Sequence, residues 1–191
     1  MIHGDEPLLS LEAADAVRAK ARAAGCAERE VLIAERGFEW ARLNHAAADL
    51  SLFSERKLIE LRIPGGKPGD AGAEAITAYC SKLVEENVTL VSLPRLAKAD
   101  QSSKWFAALT ERAMVINVFP VERARLGLWI GARLARQKQR ADEMTLSFMA
   151  DAVEGNLLAA YQEIQKLGLL YPEGPLSIEQ IRTAVLNVSR H

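Results

Sequence analysis

Cysteine is nearly absent: Cys26 and Cys80 stand alone, with no Cys-x-x-Cys pair and no histidine at ligand spacing. The pattern does not fit a zinc site. With no secretory leader in the sequence, two isolated thiols predict a reducing cytosol. Long apolar runs are also missing, and none approaches the ~20 residues that a bilayer-spanning helix needs. Charge of one sign is missing too: Lys and Arg number 24 against 25 Asp and Glu, a formal net charge of −1. Tight nucleic-acid binding by the whole surface would want a basic footprint, so any DNA contact must be local. His3, His45 and His191 are scattered, and no Ser or Cys nucleophile sits in a recognisable elbow. No catalytic constellation emerges.

What is present is the makings of a core. At 191 residues, 49% hydrophobic and 26% charged, the chain has the composition of an ordinary globular protein and can bury a sizeable interior. Met1-Ile2-His3 reads as the tail of a strand whose beginning lies outside this sequence. Asp5 is placed to cap a helix with Glu6 and Pro7 in its first turn and Leu8, Leu11 and Val17 on its apolar face, stopped by Gly25. Further strands are expected at 30–34, 57–63, 88–93 and 114–119, the last three each followed by proline. Between them, helices are expected around Trp40 to Ala47, then over 73–86 and 98–112. Residues 64–72, with four glycines and two prolines, read as a surface loop.

Five strands alternating with helices predict an α/β domain over 1–120 with a parallel sheet covered on both faces. From 121 to 191 the pattern is helical only: about 125–139, 145–153 (capped by Asp142), 157–169 and 178–188. A five-stranded parallel sheet followed by a small all-helical lid resembles the AAA+ architecture, so the chain must be tested for ATP hydrolysis. That chemistry needs a glycine-rich loop, a lysine for the phosphates and a Ser or Thr for magnesium. The turn after the first strand holds Gly4, Asp5 and Glu6 and no lysine. Gly66-Lys67 is followed by Pro68, and Leu61 occupies the place of the motif's first glycine. The third strand ends Leu61-Arg62-Ile63-Pro64, with no acid to orient a metal. The expectation is a degenerate P-loop NTPase fold that binds no cofactor.

Residues 49–63, DLSLFSERKLIELRI, carry the most informative stretch. Leu58, Ile59, Leu61 and Ile63 suit a mostly buried strand. Leu52 and Phe53, just before it, either fold back on their own domain or enter a partner's pocket, and spacing does not decide between the two. Ser51-Leu52-Phe53 before a strand, Gly4-Asp5-Glu6-Pro7-Leu8-Leu9 near the start, Trp105-Phe106 in a later helix and Glu154-Gly155-Asn156-Leu157-Leu158 near the end occur in an order that resembles the delta subunit of bacterial DNA polymerase III. That family comprises the clamp-loader subunits that open the sliding clamp. The resemblance implies that Leu52 and Phe53, with Leu50 and Ser51 shaping the approach, contact the beta sliding clamp. It also implies partners in the other clamp-loader subunits, gamma/tau and delta prime, and in primer-template DNA within the complex. A cytoplasmic replisome and a third, collar domain not included in this sequence follow from it as well. Leu158 stands where active clamp-loader ATPases carry an arginine, which fits a subunit without hydrolysis.

An alternative is DNA binding through the lid. Six basic residues fall within 123–140, and with helical geometry Arg133, Arg136 and Arg140 share one face for phosphate contact. Against this, Leu126, Trp129, Ile130 and Leu134 fit the buried side of a helix whose basic side is merely solvated.

Overall fold

The computed structural model describes residues 1–48, 56–84 and 86–185. The chain divides into two compact units, Met1–Phe119 and Pro120–His191. In the first, the elements run β1 (Ile2–Gly4), α1 (Pro7–Ala23), β2 (Glu28–Ile33), α2 (Ala41–Ala48), β3 (Lys57–Arg62), α3 (Gly69–Ser81), β4 (Val88–Leu93), α4 (Lys98–Gln101), α5 (Lys104–Arg112) and β5 (Ile116–Val118). The strands form one parallel sheet in the order β2-β3-β4-β1-β5. Parallel neighbours demand crossover connections, and the helices supply them.

Alternation along the strands sorts the core into two layers. Leu32, Ile59, Leu61, Val91 and Leu93 meet α2, α3 and α5 through Leu43, Ile76, Trp105 and Phe106. On the other face Ile2, Leu58, Leu90 and Val118 meet α1 through Ala14 and Ala21. β3 is buried at every position but its last, which puts two charged side chains inside. Lys57, 6% exposed, lies 3.4 Å from Glu28 and 3.9 Å from Glu30. Glu60, 1% exposed, is held by Arg18 from α1 and Arg29 from β2, each through two hydrogen bonds, and by Arg62. Burial alone pushes its carboxyl up, but the guanidinium hydrogen bonds outweigh burial and hold it at about 2.

Several local expectations give way to specific contacts. Asp5 does not cap α1. It accepts a hydrogen bond from the Arg95 amide, and Glu6 is the N-cap, accepting from the Leu8 amide. Leu11 faces solvent at 55% exposure, while Ala14 and Ala21 take the inner face. The Gly/Pro-rich stretch is a turn only as far as Pro68, because α3 already begins at Gly69. Gly72 belongs in that helix for a steric reason: a Cβ there would lie 2.5 Å from the Trp40 ring. The helix expected over 98–112 is two helices. Ser102 and Ser103 turn their hydroxyls back onto the carbonyls of Lys98 and Asp100, offering the backbone an alternative to continuing.

The second unit contains α6 (Arg123–Arg136), β6 (Gln139–Arg140), α7 (Glu143–Val153), α8 (Leu157–Leu170), β7 (Gly174–Pro175) and α9 (Ile178–Val185). Asp142 caps α7 as expected, accepting from Thr145, and Asn156 caps α8. The unit is not wholly helical: β6 pairs in parallel with β7. Gln139, 2% exposed, directs its amide at the carbonyls of Leu167, Tyr171 and Pro172, which fastens this small pairing to the end of α8. No described helix is long and apolar enough to cross a membrane.

Candidate partner-binding site

Leu50, Ser51, Leu52 and Phe53, the predicted contact residues, lie outside the described residues, but both flanks of their segment are fixed. On one side α2 ends at Ala48 after burying Leu43 and Ala46 in the core. On the other side β3 starts at Lys57 in full register with β2 and bonded to β4. One side chain joins the two flanks. The Asn87 Oδ1 accepts from the Lys57 amide at 3.0 Å, and its Nδ2 donates to the Ala47 carbonyl at 3.5 Å. Next to Lys57, Arg56 donates to the Ala24 carbonyl at 3.0 Å, tying the same flank to the end of α1. The stretch that links α2 to β3 therefore leaves from and returns to a rigid base. This base lies at the edge of the sheet where the strands begin.

Asn87 also lines a cavity of about 570 Å³ at that edge, with Leu83, Val84, Leu109, Arg112 and Met114. Met114 is 83% exposed at its rim. Deeper in, the Tyr79 and Thr89 hydroxyls share a hydrogen bond of 2.5 Å, and burial pushes both the Tyr79 hydroxyl and the Cys80 thiol up.

The opposite edge, where a nucleotide would sit in an ATPase of this architecture, is occupied by the protein's own contacts. Gly4 approaches β5 so closely that a Cβ would lie 1.8 Å from the Val118 carbonyl oxygen. His3 is buried, and its Nε2 accepts from the Leu96 amide at 2.9 Å. That bond places the ring proton on Nδ1, which faces the Asn117 side-chain oxygen at 3.4 Å. Asp5 is engaged with Arg95. The strand-end groups are thus committed to the segment after β4. Among the described residues, no group of three or more His, Cys, Asp or Glu is placed to hold a metal ion.

Arg133, Arg136 and Arg140 do not share a helical face. α6 ends at Arg136, and Arg140 sits on β6 beyond a turn in which Lys138 adopts φ +58°. Arg133 stacks over the rings of Trp129 at 4.6 Å and Tyr161 at 5.8 Å, a use of guanidinium that stabilises the unit. Leu126, Ile130 and Leu134 are the buried side of α6.

Asn87 and the Glu60 cluster carry no motif. Asn87 follows a helix and precedes a strand, a place where asparagine usually signals only a turn. Its partners, 30 and 40 positions away in the sequence, cannot be inferred from its neighbours.

Residues 1–119 match the family model described as DNA polymerase III, delta subunit. The chain is 30% identical over 185 residues to DNA polymerase III subunit delta of Escherichia coli, covering 97% of this chain and 54% of that protein. It is 24% identical over 196 residues to the subunit of the same name from Haemophilus influenzae, with the same coverage. The chain spans about half the length of these relatives. Among solved structures it superposes on a Bacillus subtilis DNA clamp loader delta protein with a TM-score of 0.68 at 15% identity, over 95% of this chain and 56% of the other. At that identity the likeness is one of fold.

Proposed function

The chain belongs to the DNA polymerase III delta subunit family, and from that premise we propose that it is the part of a non-catalytic clamp-loader subunit that binds and opens the beta sliding clamp. Leu52 and Phe53 enter an apolar pocket on the clamp, with Leu50 and Ser51 shaping the approach. The observation that carries this reading is the family match over residues 1–119, which includes these four positions. The anchoring of both flanks through Asn87 supports it, because a segment whose two ends are held has less conformational freedom to lose on binding.

Each of the two side chains contributes about 1.5–3 kcal/mol when fully buried. Affinity of that size does not by itself open a ring. A ligand shifts a conformational equilibrium only by the difference in its affinity for the two states, and moving a ring from 1:99 to 99:1 open takes about 5.5 kcal/mol of difference. The subunit must therefore make a second contact that the closed clamp cannot satisfy. ATP hydrolysis belongs to neighbouring subunits, the partners in the assembly are gamma/tau and delta prime, and the assembly works in the cytoplasm on primer-template DNA. The committed polar groups around Gly4 support a sheet that serves as a handle rather than a nucleotide site. A collar domain in the remaining half of the full-length protein holds it in the loader.

The test is clamp release. The full-length protein is mixed with its cognate clamp loaded on circular DNA, and the clamp that stays on the DNA is measured. Wild type is expected to release the clamp without ATP, and Leu52→Ala/Phe53→Ala is expected to leave it in place. Release by the double variant at the wild-type rate would refute the assignment.

A further inference from the structure

The two faces of the sheet are covered unequally. α2, α3 and α5 share one face, whereas among the described residues of this unit α1 alone packs on the other, over β1, β4, β5 and Leu58 of β3. Among the described residues, the part of this second face formed by β2 and by Arg62 at the end of β3 stays exposed, beyond the buried Leu58 and Glu60. Alternation places Arg29, Val31 and Ile33 of β2 there, beside Glu60 and Arg62 of β3. Ile33 is 46% exposed, and the Arg29 and Arg62 side chains are 46% and 40% exposed.

The charges at this place do not balance. The Oε2 atom of Glu60 accepts from Nη2 of Arg18, Arg29 and Arg62 at 2.9, 3.1 and 3.1 Å. Oε1 accepts from Nε of Arg18 and of Arg29 at 2.7 and 2.6 Å. Arg18 spends a further donor on Asp15. Three guanidiniums thus meet two carboxylates, and one of those carboxylates is saturated and buried. One positive charge is left over, at an exposed edge where Arg29 and Arg62 stand side by side on the same carboxylate. Among the described residues, Arg62 makes a single hydrogen bond, which leaves most of its fork open to an external acceptor.

We infer that the open β2–β3 face docks an acidic, amphipathic segment of another protein, whose carboxylates pair with Arg29 and Arg62 and whose apolar side chains cover Val31 and Ile33. Charge complementarity selects the acid, since planar guanidiniums donate to carboxylates in bidentate fashion. The apolar pair, two and four residues along the same strand face from Arg29, selects a protein over a nucleic-acid backbone, which has nothing to place against Ile33. The site is independent of residues 49–55 and of the clamp assignment.

The experiment uses the full-length protein in its assembled native complex, with the photo-crosslinking residue benzoylphenylalanine replacing Ile33. Crosslinked peptides are sequenced with and without Arg29→Gln/Arg62→Gln, a pair of changes that keeps the Arg18–Glu60 bond. The expected result is a crosslink to one acidic stretch of a partner protein, its yield falling at least tenfold in the Gln variant while the melting profile stays cooperative. A crosslink to nucleic acid, to a basic or neutral stretch or to this same polypeptide overturns the inference. So does the absence of any crosslink, or a yield indifferent to the two arginines.

Discussion

Replacing Glu60 by glutamine probes the charge cluster that binds α1, β2 and β3 together. The side chain keeps its shape and loses its charge, leaving three guanidiniums facing a neutral amide. The magnitude follows from the pKa. The carboxyl titrates at about 2 in the folded chain against an ordinary value of 4.5, and this difference corresponds to about 3 kcal/mol of stability. The sign follows too. Because the folded value lies below the unfolded one, the stabilisation is complete well above pH 4.5 and drains away as pH falls toward 2. The gap between wild type and Glu60→Gln should therefore be about 3 kcal/mol at pH 7 and roughly 1.5 kcal/mol at pH 3. Urea unfolding followed by NMR at the Ile59 and Leu61 amides reads the first unit alone. A gap under about 1 kcal/mol at pH 7, or one that does not shrink at pH 3, would refute the reasoning.

Three further outcomes are expected. Asn87→Ala removes two hydrogen bonds worth about 0.5–1.5 kcal/mol each and should weaken clamp binding; Asn87→Asp, which keeps the acceptor for Lys57, should fall between it and wild type in a binding titration. Gly72→Ala forces a methyl into the Trp40 ring and should cost about 1–3 kcal/mol, seen as a lower thermal midpoint with a shifted Trp fluorescence maximum. Gln139→Leu strips the hydrogen bonds from three carbonyls near the end of α8 and should cost about 1–3 kcal/mol, with amide exchange quickening first at Tyr171.

The sheet was legible because its signal is local. Leu58, Ile59, Leu61 and Ile63 announce a strand buried on both faces, and the prolines at 64, 94 and 120 mark strand ends within two residues of where they fall. The same rule misplaced what depends on distant partners. Glycines at 69 and 72 look like a loop until Trp40 is seen to need the space. Asp5 is the better cap by residue type, but the Arg95 amide, 90 positions away, claims it and leaves Glu6 to the helix. β6 and β7 are two residues each and exist only through one another. Glu60, which carries no signal in the sequence, is buried because arginines from three elements converge on it. Arg140 falls off the helical face because the chain turns at Lys138, a residue type with no preference for positive φ. The proposed contact residues 50–53 could be named only through resemblance, since an apolar pair before a strand serves a core and a partner equally well.

The central claim is that Leu52 and Phe53 belong to a partner rather than to this chain's own interior. It is tested most directly by titrating the cognate sliding clamp into the wild-type chain and into Leu52→Ala/Phe53→Ala, with circular dichroism and thermal melts recorded on both. Saturable binding by wild type and at least a hundredfold weaker binding by an equally stable variant is the predicted result, the size expected if about 3 kcal/mol or more of burial is lost from the interface. Equal affinity of the two proteins, or a variant that loses about 3 kcal/mol or more of folding stability, would contradict the claim and return both side chains to the core.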